Sequence, residues 1–178
     1  MSEPAVEAVT SSPEETMSLA AAFAGLLQPN DVLALQGTLG AGKTCFVKGL
    51  ARGLGVADAR QVISPTFVLM RRHDGRVPLF HFDAYRLRGA AEMEAIGCAE
   101  TFESGGVSVV EWADHVGECL PRERFVLSIT VSGASERRFR LTACGPLSSA
   151  RLNGFRDALA ALLTRMKAQL GEGKATAY

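Results

Sequence analysis

Gly37-Thr38-Leu39-Gly40-Ala41-Gly42-Lys43-Thr44 is the stretch that decides the fold. It fits GxxxxGK[ST] at every fixed position, and each position has a chemical reason. Small residues let the loop close tightly, so that successive backbone N–H groups aim at one anion. A helix opening at Lys43 adds the positive end of its dipole. Lys43 brings a flexible ammonium for the β- and γ-phosphates of a nucleoside triphosphate, and Thr44 a hydroxyl for its magnesium ion. Average composition yields this pattern by accident in roughly one per cent of chains of this length. The flanks weigh further against accident. Val32 to Gln36 is a short apolar run that enters the loop as a buried strand would, and a helix-compatible stretch follows, ending near Gly53 or Gly55.

Upstream, Ser12-Pro13-Glu14-Glu15 reads as a helix start: Ser12 caps, Pro13 takes the first helical position and Glu15 closes a capping box. Leu19, Phe23, Leu26 and Leu27 then share one face of a helix running to about Gln28, which Pro29-Asn30-Asp31 breaks. Downstream, Phe67–Met70 and Leu79–Phe82 read as strands around the turn His73-Asp74-Gly75. Ala90 to Ile96 reads as a helix stopped by Gly97, and Val107–Val110 as a buried strand. Phe125–Val131 and Arg138–Ala143 form a second hairpin around Ser132-Gly133-Ala134. In the last segment Leu152, Phe155, Leu159, Leu162, Leu163, Met166 and Leu170 fall on one helical face, with Gly171 as a C-cap. The pattern predicts one α/β P-loop NTPase-like domain over residues 1–178, three-layered, with a mixed central sheet. Residues 1–11 and 171–178 are expected to be flexible ends.

Composition bounds the function. The chain has 178 residues, 47% apolar and 21% charged, the balance of a soluble globular protein. Its 19 basic and 19 acidic residues cancel, which argues against a dedicated nucleic-acid binder; if RNA matters, a partner holds most of it. Cys45, Cys98, Cys119 and Cys144 form no CxxC pair, so they read as small hydrophobes of a reducing compartment. The N-terminus carries two glutamates and no basic residue, unlike a signal peptide. The apolar run Leu19–Leu27 is too short for a bilayer. A cytoplasmic protein without membrane contact is expected.

A P-loop enzyme needs a carboxylate for magnesium and a group to orient the attacking nucleophile. Asp83 follows Leu79–Phe82, and Glu111 follows Val107–Val110. Acids at the carboxyl ends of buried strands stand where open α/β sheets bind ligands, although a helix cap or a surface ion pair also explains them. Ser64-Pro65-Thr66 lies after the P-loop helix. Thr66 there suits a loop that senses the γ-phosphate or its metal, while Ser-Pro alone is enough for a plain turn.

Four motifs in this order resemble one family: Gly37 to Thr44, Ser64-Pro65-Thr66-Phe67, His81-Phe82-Asp83-Ala84-Tyr85-Arg86-Leu87 and Val110-Glu111-Trp112. Between Ser12 and Ala143 the chain resembles TsaE, the bacterial ATPase family of tRNA threonylcarbamoyladenosine synthesis. The resemblance implies ATP and Mg2+ as cofactors, and TsaD and TsaB as partners. Together they would modify the adenosine beside the anticodon in tRNAs that read codons starting with A. tRNA would be met indirectly, through that complex, and hydrolysis would reset it between turnovers. Lys43 would hold phosphate within the loop of Gly37, Thr38, Leu39, Gly40, Ala41, Gly42, Lys43 and Thr44. Thr44 and Glu111 would hold magnesium, and Asp83 would be the catalytic acid that orients or deprotonates water. Thr66 and Trp112 would adjoin the nucleotide. Thr16 aligns with a residue near the adenine, and Arg137 or Arg138 with a basic contact to nucleotide.

Other residues admit duller readings. His73 and His115 read as surface residues, and His81 as structural or as a support for Asp83, which shares its side of a strand. Arg71 and Arg72 suit a solvated edge, and Arg86 a phosphate or a nearby acid. A free-standing small-molecule kinase and a nucleotide-gated binding module use the same loop, although no arginine-rich lid is written here.

Overall fold

Apolar on both faces, the strand that feeds the P-loop takes the centre of a seven-stranded sheet. The computed structural model describes residues 5–172. The strands are β1 (Ala5–Thr10), β2 (Val32–Gln36), β3 (Met70–His73), β4 (Leu79–Asp83), β5 (Val107–Glu111), β6 (Arg124–Val131) and β7 (Arg137–Cys144). The helices are α1 (Pro13–Phe23), α2 (Lys43–Gly53), α3 (Ala90–Ala95), α4 (Cys98–Phe102) and α5 (Pro146–Glu172). The sheet order is β1-β7-β6-β2-β5-β4-β3. β6, β2, β5 and β4 run parallel, and β3, β7 and β1 pair antiparallel at the two sides. The sheet is mixed, as the two hairpins predicted.

Helices lie on both faces. On one, Leu33, Leu35, Val109, Phe125 and Phe139 of the strands pack with Phe23 of α1, Phe46 and Leu50 of α2 and Leu152 of α5. On the other, Ala34, Phe82 and Val110 pack with Met93 of α3 and Cys98 and Phe102 of α4. α1 and α2 meet backbone to backbone. A Cβ on Gly49 would lie 2.3 Å from the Met17 carbonyl oxygen, and one on Gly53 would lie 2.4 Å from that of Ala21. That contact holds the helix whose first turn carries the phosphate loop.

Several boundaries differ from expectation. Residues 1–11 were expected to be a flexible end, yet Ala5–Thr10 form β1, with Val6, Ala8 and Thr10 buried against the α1 side. α1 ends at Phe23 rather than near Gln28. Gly25, Leu26 and Leu27 continue in tight bonds of 3.0, 2.9 and 3.3 Å to residues three back, as a glycine there discourages more α-helix. The strand expected at Phe67–Met70 starts only at Met70. Leu69 takes φ 64° and its N–H returns to Pro65 O at 2.7 Å, so Phe67 stands on a turn. α5 passes through Gly171 to Glu172, so Gly171 is not its cap. The side chains of Leu159, Leu162, Leu163, Met166 and Leu170, and residues 173–178, lie outside the described residues.

Among the described residues no helix is long and apolar enough to cross a membrane. The four cysteines carry free thiols. The Cys119 thiol donates to Val116 O at 3.1 Å, and burial pushes its pKa up to about 11.

Candidate functional site

Register brings the chemistry into one row. Leu35 pairs with Glu111, and Glu111 pairs with Asp83, so the carboxyl ends of β2, β5 and β4 lie side by side. The P-loop leaves β2 at this edge. Gly37 takes φ 149° and packs so closely on β6 that a Cβ would lie 2.6 Å from Ile129 O. Gly42 takes φ 104° and caps α2 in a left-handed conformation that a larger residue resists. A cleft of about 390 Å³ opens above the loop, lined by Gly40, Gly42, Lys43, Thr44, Asp83 and Glu111, with Ser64, Thr66, Tyr85 and Trp112 around them.

Lys43 is 5% exposed. Its ammonium donates to Gly37 O at 2.6 Å and Thr38 O at 3.0 Å, and it lies 3.5 Å from the centroid of the Trp112 ring. Burial lowers its pKa, while the carboxylates of Glu111, Asp114 and Asp83 act in the opposite direction. Trp112 itself takes φ 59°, a costly conformation for a bulky residue, at the point where β5 turns into the short 3-10 segment Ala113–His115. The rings of Tyr85 and His115 lie tilted against its ring at centroid distances of 4.9 and 5.7 Å.

Thr44 Oγ1 donates to both oxygens of Glu111, at 3.0 and 3.1 Å. Glu111 is 2% exposed and accepts a third bond from His81 Nε2 at 2.8 Å. A hydroxyl and a carboxylate in contact beside a phosphate loop are hard oxygen donors of the kind magnesium takes, together with phosphate and water. These residues fit that ion. Asp83 is held differently. Tyr85 N donates to its Oδ1 at 2.9 Å, Thr66 Oγ1 donates to its Oδ2 at 2.8 Å, and Ser64 Oγ donates to the same Oδ2.

Arg137 lies against the P-loop. Its Nε donates to Ala41 O at 3.1 Å and its Nη1 to Glu136 O at 2.9 Å. Arg138, next along β7, faces the opposite side of the sheet and is exposed. Thr16 is buried, with Oγ1 bonded to Thr10 Oγ1 at 2.7 Å and to Ser12 O at 3.1 Å, and it does not line the cleft. His81 supports Glu111 on the neighbouring strand rather than Asp83 on its own. His73 is half-buried, not a surface residue. Arg86 lies over the Phe67 ring at 4.4 Å. Arg72 pairs with Asp74 at 2.8 Å on an exposed edge. Ser64 is a site residue outside the expected set: a serine before proline reads as a plain turn, and its partner Asp83 lies nineteen residues on.

The fold and this cleft define a P-loop nucleotide-binding protein. The family model described as "Threonylcarbamoyl adenosine biosynthesis protein TsaE" matches residues 10–139, and the chain belongs to that family. A tRNA threonylcarbamoyladenosine biosynthesis protein TsaE of Bacillus subtilis is 46% identical over 137 residues, covering 76% of this chain and 84% of the relative. That of Treponema pallidum is 40% identical, covering 72% and 94%. The crystal structure of Bacillus subtilis YdiB superposes with a TM-score of 0.69 at 34% identity, covering 94% of this chain and 99% of the other.

Proposed function

We infer that this chain is the magnesium-dependent ATPase subunit of tRNA threonylcarbamoyladenosine synthesis, acting with TsaD and TsaB on tRNAs that read codons starting with A. The observation that carries the reading is the contact of Thr44 with Glu111 in the cleft that also holds Lys43 and Asp83. The backbone of Gly37–Thr44 and the Lys43 ammonium bind the phosphates. Thr44 and Glu111 would hold Mg2+, which would supply charge neutralisation at the phosphate oxygens. Asp83 orients the attacking water and accepts its proton at a carboxylate oxygen. Ser64 and Thr66 hold that carboxylate until the loop engages nucleotide. Thr66 and Trp112 adjoin the nucleotide, and Arg137 braces the loop.

Family membership supports the tRNA pathway, and the neutral balance of charge supports RNA contact through partners rather than directly. Leu39, Ile63, Phe67 and Val68 are apolar and exposed on the P-loop and the segment that carries Thr66, which suits a protein partner that reads the state of the site. Waiting for a group supplied by a partner is common among small switch-like nucleotidases.

The test is phosphate release from ATP and Mg2+ by the purified chain, alone and with TsaD, TsaB and substrate tRNA. Stimulation by the partners is expected. Asp83→Asn should still bind ATP and lose about two to four orders of magnitude of the stimulated rate. Full activity of that variant would remove Asp83 from its role. ATP binding without partner stimulation would favour a kinase or a nucleotide-gated binding module.

A further inference from the structure

The Glu111 carboxylate accepts from Thr44 on one side and from His81 on the other. His81 is fully buried on β4, and among the described residues the one hydrogen bond of its ring is the 2.8 Å contact of Nε2 with Glu111 Oε1. The other ring nitrogen, Nδ1, has no partner among the described residues. The ring of His73 lies next to it, at a centroid distance of 6.2 Å, and the Nε2 of His73 is likewise buried without a partner among the described residues. An apolar side chain would fill this place without bringing an unsatisfied ring nitrogen of its own. The unpartnered Nδ1 costs stability, and what the ring gives in return is a donor aimed at Glu111.

We propose that His81 is a positioning residue that fixes the Glu111 carboxylate for the cation of the bound nucleotide. This rests on the reading of Glu111 as a metal ligand. A carboxylate that ligates a cation only accepts hydrogen bonds, so His81 Nε2 is the donor. Its bond holds Oε1, while Thr44 bridges both oxygens from the phosphate side. Without the donor the carboxylate is free to rotate out of the row formed by β2, β5 and β4. Partners that orient a metal ligand in this way are worth about 10–100-fold in metal affinity.

Two substitutions separate positioning from packing. In His81→Gln the amide nitrogen stands close to the place of Nε2 and keeps the donor. In His81→Asn it stands near the place of Nδ1 and falls short of Glu111. Both are polar, and both disturb the core. ATP binding by the full chain is measured across a Mg2+ titration and again in EDTA. His81→Asn should raise the half-saturating Mg2+ concentration by about 10–100-fold and leave ATP affinity in EDTA unchanged. His81→Gln should stay near the unaltered protein.

Equal Mg2+ curves for the two variants, whether both shift or neither does, overturn the proposal. So does failure of both to fold, which would make His81 a packing residue. Glu111→Gln in the same titration isolates the underlying reading. If its Mg2+ dependence is normal, Glu111 is no ligand and the proposal falls with it. If Glu111→Gln shifts and His81→Asn does not, only the role of His81 is lost.

Discussion

Trp112 is the single tryptophan of the chain, and its indole lies 3.5 Å from the Lys43 ammonium. That contact and the two bonds to Gly37 O and Thr38 O occupy the charge that a nucleotide needs. A cation over an indole is worth about 0.5–2 kcal/mol, less than a desolvated phosphate offers. Nucleotide should therefore draw the ammonium off the ring. Titration with ATP should change the tryptophan emission, and Lys43→Ala should remove the response together with binding. Emission that stays constant while dialysis shows bound ATP would mean that the lysine remains under the indole. At this scale the sequence named Lys43, Thr44, Asp83 and Glu111, because a loop motif and strand-end acids are local patterns. It did not name Ser64 as part of the site, nor choose between Arg137 and Arg138. Side-chain parity along β7, set by its register with β6, puts Arg137 rather than Arg138 against the P-loop.

At the scale of elements, α2 is positioned by its close contact with α1. Glycine inside a helix costs about 1 kcal/mol relative to alanine, so propensity alone favours Gly49→Ala. Packing decides the other way. The added methyl would stand 2.3 Å from Met17 O and 2.6 Å from Met17 Cα, and backbone atoms cannot swing aside as a flexible side chain does. Overpacking of this kind costs about 1–3 kcal/mol or more. Gly49→Ala should lower Tm by several degrees in a thermal melt and weaken ATP binding, since the loop moves with its helix. A melt at or above that of the unaltered chain would show that α1 and α2 separate freely. Helix starts were legible here. Ser12 accepts from Glu15 N at 3.1 Å, and Glu15 Oε2 accepts from Ser11 N at 2.8 Å, which is the capping box shifted by one residue at its return bond. Helix α1 was read too long, because apolar spacing continues through Leu26 and Leu27 while the backbone has already tightened.

Across the whole molecule, the sheet closes with its first strand. β1 pairs with β7, and Thr10 Oγ1 bonds Thr16 Oγ1 at 2.7 Å to tie the strand to α1. The family match begins at residue 10, just where this strand ends. Deleting residues 1–10 should expose the β7 edge, lower Tm and give concentration-dependent self-association in light scattering. A monomeric variant of unchanged Tm would show that β1 adds nothing to the sheet. Composition and patterning predicted the mixed α/β class. They missed β1, since Ala5-Val6-Glu7-Ala8-Val9-Thr10 is short and rich in small residues, and the chain that makes it a strand lies at Arg137–Thr142.

The placement of β2 also orders events in time. Its two neighbours, β5 and β6, come from far later in the chain. During synthesis the P-loop is therefore translated long before Glu111 and Ile129 exist to complete its surroundings. A nascent chain ending before residue 107 has the phosphate motif but no sheet to hold it, so nucleotide capture must await the second half of the protein. Pairings at such separation also make folding slow relative to helical proteins of this size. In the cell the interval between making the motif and arming it is thus written into the strand order itself.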